Sequence, residues 1–204
     1  MKALTAPITI APWDGLHSLL RSKNVRAAIQ VILASLFIGL CAQIKIPLPF
    51  TSVPFTGQPF GVILVGALLG SRKGALAGSC YLLEGSVGLP VWAGGAAGLL
   101  HLLGPTGGYR FLYPFQAFFV GYCVEKLPFS FFKIYVAIFL SSCIQLALGS
   151  LWLGYFVGFN NCFAVGFIPF IGIELFRVFF ITAYLKYRNS RPLAELKLRK
   201  RSSI

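Results

Sequence analysis

Long apolar runs, separated by short polar or glycine- and proline-rich stretches, fill most of this chain. A helix needs roughly 20 apolar residues, and at least about 17, to cross the hydrocarbon core of a bilayer. On that basis the pattern predicts six membrane helices, at about 25–44, 55–70, 74–90, 107–124, 130–158 and 164–186. Only Ser71, Arg72 and Lys73 separate the second helix from the third, so we expect these two to form a tight hairpin.

One stretch breaks the pattern: residues 81–109 read YLLEGSVGLPVWAGGAAGLLHLLGPTGGY. Glycine and proline occur here too often for a plain membrane helix. Irregular backbone at membrane depth is tolerated only where it is buried in protein or lines a cavity, because lipid offers no hydrogen-bond partner. The sequence therefore predicts an all-α polytopic membrane protein with an irregular segment between its third and fourth helices, next to a cavity.

Composition and charge support a membrane protein. Hydrophobic residues make up 57% of the chain, charged residues 11%, and the mean hydropathy is +0.79, well outside the range of soluble domains. The net charge of +13 does not indicate nucleic-acid binding, because the basic residues lie between apolar runs and at the chain ends. If both termini are cytoplasmic, most of the 18 basic residues fall on that side, in agreement with the positive-inside rule.

The same pattern divides the chain into three parts. Residues 1–24 are expected to form a cytoplasmic amphipathic arm at the membrane surface, since they lack the continuous apolar core of a signal peptide. Residues 25–187 are expected to form the six-helix substrate-binding domain. Residues 188–204 form a basic cytoplasmic tail suited to anionic lipid.

Motifs for metal binding, cofactor binding and catalysis are missing from the sequence. The five cysteines form no CxxC pair and have no histidine at ligand spacing, although a disulfide between Cys41 and Cys162 stays open. The chain contains no GxxxxGK[ST], GxSxG or HExxH pattern. We therefore expect no metal, no cofactor and no enzyme activity, and any uphill transport must take its energy from elsewhere.

Two charges lie inside the last predicted helix. Glu174 and Arg177 are three residues apart and so share one helix face. Charged side chains at that depth cost about 2.5–3.5 kcal/mol each and almost always face a cavity or each other. A structural ion pair and a polar wall of a ligand pocket both fit this spacing, and we favour the pocket.

Further candidates surround the irregular segment. Gln58 carries an amide that suits a urea or amide ligand, although it could equally cap a loop. Glu84 lies on the same helix face as Tyr81 and is expected to be a rim charge at the water interface. Aromatic rings, close backbone approach at glycine and a few polar groups predict an apolar slot, lined by Trp92, Gly94, Thr106, Tyr109 and Tyr113. Tyr81 points toward the same segment.

The runs AQIKIPLPFTSVPFTGQPFGVILVGALLGSRKGALAGSCYLLEGSVGLPVWAGG, GPTGGY and PFIGIELFR also resemble a known family. They are similar to BioY, the biotin-binding S component of energy-coupling-factor (ECF) vitamin transporters, from about Ala42 to Arg177. This resemblance implies a six-helix membrane protein that captures biotin from the outer side with high affinity. It also implies two partners, a membrane coupling protein and a pair of cytoplasmic ATPases.

The resemblance also implies roles for single residues. The acid and the base that contact biotin in the family's last helix match Glu174 and Arg177. Glu174 would then accept hydrogen bonds from the ureido N–H groups, and Arg177 would orient Glu174 or donate to the ureido oxygen. The carboxylate of biotin would lie toward the loop, near Arg110, Lys45 or backbone N–H groups. The rings of Tyr81, Trp92 and Tyr109 would pack on the ligand.

Pairs of small residues four apart let helices approach closely, and they occur at Ser35/Gly39, Gly66/Gly70 and Gly74/Gly78. We expect the first pair to dock on the coupling protein and the other two to pack inside the bundle. Two other functions remain open: an S component for a different small vitamin, and a membrane-embedded enzyme with Glu174 as general acid or base. Against the second alternative, the sequence offers no second catalytic group in the expected cavity.

Overall fold

The computed structural model describes residues 22–128 and 130–201, with side chains up to residue 190. Most of the arm predicted at 1–24 and the side chains of the tail therefore lie outside the described residues. The described helices are α1 Lys23–Ala42, α2 Gln58–Leu69, α3 Ser71–Ser86, α4 Leu99–Leu102, α5 Gly107–Phe111, α6 Tyr113–Lys126, α7 Phe131–Val157, α8 Cys162–Gly166 and α9 Ile168–Arg201. Two short strands, β1 Lys45–Ile46 and β2 Phe55–Thr56, pair antiparallel.

The predicted helical membrane architecture is confirmed in outline. Among the described helices, α1, α7 and the stretch Cys162–Ser190 are long and apolar enough to cross a membrane. The helix α2 is apolar but has 12 residues, which span about 18 Å at 1.5 Å per residue. That is shorter than the roughly 30 Å hydrocarbon core. Six crossings with both ends in the cytoplasm therefore stay a prediction.

The hairpin predicted between the second and third helices is confirmed. A single residue, Gly70, joins α2 to α3 with φ of +84°, a left-handed conformation that glycine adopts without a steric penalty. The carboxylate of Glu125 in α6 accepts hydrogen bonds from the backbone N–H and the hydroxyl of Ser71, at 2.9 and 2.8 Å. These hydrogen bonds hold the pKa of Glu125 below its ordinary value, because they favour the charged form. Glu125 thus caps the first turn of α3.

Glycines bring α2, α3 and α6 into backbone contact. A Cβ atom on Gly66 would overlap the backbone of Ala117, and one on Gly74 would lie 2.9 Å from the Cα of Gly66. Farther along α3, a Cβ on Gly78 would lie 3.0 Å from the Cα of Pro114. The pairs that begin at Gly66 and Gly74 therefore pack inside the bundle, as predicted.

Two of the expected continuous helices are broken, which corrects the prediction. The fourth is divided at Leu112 into α5 and α6, and the sixth is divided at Phe167 into α8 and α9. Pro114 and Pro169 lie in the first turn of the second piece in each case. Proline has no N–H to donate to the preceding turn, so it suits a new helix start better than a helix interior. Beyond the second break, α9 runs without interruption through the boundary expected at residue 187.

The irregular segment is present and is fixed to the helices beside it. The N–H of Gly98 donates to the carbonyl of Gly85 at 2.7 Å, and the indole of Trp92 packs directly on Gly85. The side-chain amide of Gln43, just after α1, accepts from the N–H of Gly95 at 3.1 Å and donates to the carbonyl of Trp92 at 3.4 Å. This segment is therefore an ordered cover over the bundle.

The face of α1 expected to dock on the coupling protein points inward, so that prediction is wrong. Ser35 is fully buried and donates to a carboxylate oxygen of Glu84 in α3 at 2.6 Å. A Cβ on Gly39 would lie 3.2 Å from the Cβ of Val91. The chain itself therefore fills this face, with Glu84 against Ser35 and Val91 against Gly39. Ser35 pairs one oxygen of the Glu84 carboxylate, and the other is buried without a partner among the described residues. Glu84 is likewise a partly buried interhelical group and not a rim charge.

Candidate functional site

A cavity lies where β2 and the irregular segment meet α6, α7 and α9. Its empty volume is about 530 Å³ including the open mouth. The lining combines aromatic and aliphatic side chains with a few polar ones, as such pockets usually do. The lining residues are Val53, Pro54, Phe55, Thr56, Gln58, Pro59, Ala93, Thr106, Tyr109, Arg110, Tyr113, Gln145, Leu146, Phe170, Glu174 and Arg177.

Most of the candidate residues meet at this cavity although they are distant in sequence. Those that line it are Gln58, Thr106, Tyr109, Arg110, Glu174 and Arg177. The other three candidates do not line it. Tyr81 and Trp92 are fully buried behind its wall. Gly94 is exposed to solvent beside Lys45, whose Cδ would be 3.2 Å from a Cβ atom at position 94.

Glu174 and Arg177 form an ion pair in the cavity wall. The carboxylate is buried, and the guanidinium also donates from Nη2 to the carbonyl of Thr56 at 3.4 Å. The same guanidinium lies 5.5 Å from the ring centroid of Phe55, within cation–π distance. Both interpretations of the pair thus describe part of the site: the charges neutralise each other, and together they face the cavity.

One oxygen of that carboxylate lacks a hydrogen-bond partner in the described part of the chain. Oε1 of Glu174 accepts from Arg177, whereas Oε2 is buried and makes no hydrogen bond to any described residue. A buried acceptor without a donor costs about 1–3 kcal/mol, and more when it is charged. A ligand that presents an N–H or O–H donor to Oε2 would recover that free energy.

Gln58 stands in a hydrogen-bond network that fixes its amide. Its oxygen accepts from the hydroxyls of Thr56 and Tyr113, each at 3.3 Å. Its nitrogen donates to the hydroxyl of Tyr81, which donates in turn to the carbonyl of Val91 at 3.2 Å. An amide nitrogen carries two N–H donors, so one remains for a ligand. Tyr81 therefore acts by holding Gln58 in place and not by touching the cavity.

Tyr109 presents its ring and not its hydroxyl. The hydroxyl donates to the carbonyl of Gly166 at 3.0 Å and lies 3.1 Å from the hydroxyl of Ser150, which ties α5 to α7 and α8. Gln145 of α7 donates from Nε2 to the carbonyl of Tyr109 at 3.1 Å and also lines the cavity. Sequence reasoning missed Gln145, although a glutamine inside a long apolar helix was a visible signal.

Arg110 is a second buried cation in the wall, with 6% of its surface exposed. Its Nη1 donates to the carbonyl of His101 at 2.8 Å, and its guanidinium lies 4.8 Å from the ring centroid of Trp92. Its Nε is buried without a partner among the described residues. No carboxylate in the described part of the chain lies close enough to form an ion pair with it.

The segment before α2 also contributes to the lining. The sequence pattern predicted a helix from about residue 55, but Phe55 and Thr56 form β2 and α2 begins at Gln58. The hydroxyl of Thr51 donates to the carbonyl of Val165 at 2.7 Å and so fixes the loop between the strands to α8. Elsewhere, Cys41 and Cys162 are both free thiols, so the disulfide left open is not formed.

Three comparisons with known proteins agree with one another. A sequence model of the BioY family matches residues 15–192. The chain is 39% identical over 154 residues to "Biotin transporter BioY" of Thermotoga maritima, covering 73% of this chain and 89% of that protein. It is 38% identical over 145 residues to "Probable biotin transporter BioY" of Pyrococcus horikoshii, covering 70% and 85%.

The fold comparison points the same way. The crystal structure of the S-component for biotin from an ECF-type ABC transporter is similar to this structure, with a TM-score of 0.68 and 26% sequence identity. The match covers 81% of this chain and 94% of that chain.

Proposed function

This chain belongs to the BioY family, and we propose that it takes up biotin across the cell membrane as the substrate-specific S subunit of an ECF transporter. The chain is a transporter subunit and not an enzyme. The observation that carries the binding site is the buried carboxylate of Glu174, which faces the cavity with one oxygen unpaired.

Biotin offers the groups that the cavity lacks. Its ureido ring has two N–H donors and one strong carbonyl acceptor, and a fused apolar ring carries a short chain that ends in a carboxylate. In our proposal, Oε2 of Glu174 accepts a hydrogen bond from a ureido N–H, and the free N–H of Gln58 or the guanidinium of Arg177 donates to the ureido oxygen. The rings of Tyr109 and Tyr113, both in the lining, support this placement because they suit the apolar part of the ligand.

Identification of the bound ligand tests the function directly. The protein is extracted in a mild detergent, and its small-molecule ligand is released and identified by mass spectrometry. We expect biotin, and we expect labelled biotin to be displaced by unlabelled biotin but not by other vitamins. Recovery and competition of a different vitamin would support an S component for that vitamin. A chemically altered ligand after incubation would support an enzyme.

We also propose six crossings with both termini in the cytoplasm. The positions of the basic residues support this topology, because Arg72 and Lys73 at the α2–α3 turn and Lys133 near the start of α7 would all be cytoplasmic. The arm at 1–24 and the tail at 188–204 would lie on the same side. Single cysteines at Lys73 and at Gly88, in a cysteine-free background, should react with a membrane-impermeant maleimide in intact cells only at Gly88. Labelling at Lys73 would refute this orientation.

A membrane coupling protein and a pair of cytoplasmic ATPases complete the proposed transporter. A groove between α1 and α3 is the surface we assign to the coupling protein in place of the Ser35/Gly39 face. Its small residues would let a partner helix approach closely. Its lining residues are Asn24, Ala27, Ala28, Val31, Lys73, Leu76, Ser79, Cys80 and Leu83.

A further inference from the structure

Arg110 is a buried charge whose counter-ion is missing from the described chain. A guanidinium stays protonated in proteins, so it cannot avoid the cost of burial by losing its proton. Isolated buried charges are strongly unfavourable and are normally paired. The ring of Trp92 and the carbonyl of His101 offset part of that cost, but neither carries a negative charge. The arrangement indicates that an anion enters the cavity from outside the chain.

The charges of the lining identify the kind of anion. Three charged side chains line the cavity, namely Arg110, Glu174 and Arg177. Glu174 and Arg177 pair with each other, so the cavity retains one unpaired positive charge. A ligand with a single negative charge would make the bound site neutral, whereas a neutral ligand would leave Arg110 uncompensated.

The orientation of the Arg110 guanidinium leaves one of its edges without a hydrogen bond to the described residues. Nη1 is engaged by the carbonyl of His101, while Nε and Nη2 make no hydrogen bond to described residues. These two nitrogens form the side-on edge of the planar fork, which matches the two oxygens of a carboxylate. A monocarboxylate could therefore bind this edge through two parallel hydrogen bonds.

We propose that Arg110 binds the carboxylate of the ligand and makes the cavity selective for a monoanion over its neutral ester or amide. This inference rests on the proposed function, in which biotin is the ligand and its ureido ring binds Glu174. The other groups considered for the carboxylate are less suitable. Lys45 is exposed and does not line the cavity, and the N–H of Gly95 already donates to Gln43.

The test compares biotin with biotin methyl ester and biotinamide, which keep the ureido ring and lose the charge. Affinities are measured by calorimetry on purified protein, for the wild type and for the Arg110→Gln, Arg110→Lys and Lys45→Gln variants. The wild type should prefer biotin over both neutral analogues on the order of 10- to 100-fold, as expected for a charge-assisted pair. Arg110→Gln should remove this preference and bind the two neutral analogues about as well as the wild type does.

The two remaining variants sharpen the comparison. Arg110→Lys should keep part of the preference, since an ammonium supplies the charge without the planar fork. Lys45→Gln is the matched control and should keep all of it. Equal weakening of biotin and its ester in Arg110→Gln would overturn the inference, because it would reduce Arg110 to a packing group on Trp92.

Failure of the inference and failure of the proposed function give different results. A wild type that binds no biotin refutes the function itself. A wild type that binds biotin, biotin methyl ester and biotinamide with equal affinity leaves the function intact and refutes the role of Arg110. That second comparison needs no variant, so it decides the inference even where Arg110→Gln does not fold. In that case, a preference that Lys45→Gln retains in full supports Arg110.

Discussion

Replacement of Glu174 by glutamine tests the core of the proposed site. The two side chains have nearly the same shape, so the change removes the negative charge without opening space. In the proposed complex a ureido N–H loses a charged acceptor, and hydrogen bonds to charged groups contribute about 1.5–3 kcal/mol. At 1.4 kcal/mol for each factor of ten, the Kd for biotin should rise about 10- to 100-fold.

The same change affects the free energy of unfolding. Arg177 loses its ion-pair partner and stays buried, and removal of one member of a buried pair costs about 3–5 kcal/mol. The single variant should therefore melt at a lower temperature than the wild type. The double variant Glu174→Gln/Arg177→Gln removes both charges, so it should recover much of the stability without recovering biotin affinity.

The assay is calorimetric titration of biotin into detergent-purified protein, with melting temperatures recorded for the same samples. The decisive comparison is between the double variant and the wild type, because neither protein has a buried charge at positions 174 and 177 without an opposite charge beside it. Tight biotin binding by the double variant would show that the carboxylate does not contact the ligand. The site assignment would then be wrong, although membership of the family would stand.

Gly85→Ala would place a methyl group inside the indole of Trp92, so it should destabilise the protein by about 1–3 kcal/mol, seen as a lower Tm; an unchanged Tm would contradict this packing. Glu125→Gln should lower stability at neutral pH by at most about 1 kcal/mol, the size of a helix cap on Ser71. Because folding lowers the pKa of Glu125, that difference should be present above the ordinary pKa and disappear as the pH falls through the lowered value, as thermal melts across pH would show. Ala28→Leu should reduce co-purification with the coupling protein while biotin binding is unchanged; equal recovery of the complex would refute the docking groove.

Hydropathy predicted the existence of the helices better than their continuity. Apolar length alone located α1 and α7 to within a few residues, because nothing interrupts their runs. Hydropathy does not reveal the breaks at Leu112 and Phe167, because the short helix, the single residue at the break and the helix that follows are all apolar. The three together look like one continuous apolar run. Pro114 marked one break, but proline is equally common at the first turn of an uninterrupted helix.

The sequence predicts those site residues whose burial costs much free energy, such as charged side chains in an apolar helix. It does not predict toward which neighbour an apolar or aromatic side chain points. Charges inside an apolar helix pointed to Glu174 and Arg177 because their cost demands partners. Composition does not show which way a ring points, so Trp92 was expected on the ligand and lies beneath Arg110. Likewise, small residues at Ser35 and Gly39 indicate close packing without identifying the partner, which is α3 and the irregular segment of the same chain.

The glycine contacts among α2, α3 and α6 separate helices that tolerate little change from helices that can evolve. At Gly66 and Gly74 no side chain separates the backbones, so any larger residue there must displace a whole helix. Gln145, Phe170 and Glu174 project into the cavity from α7 and α9 and take no part in those contacts. New ligand preferences can therefore arise by substitutions on α7 and α9, while α2, α3 and α6 keep their packing.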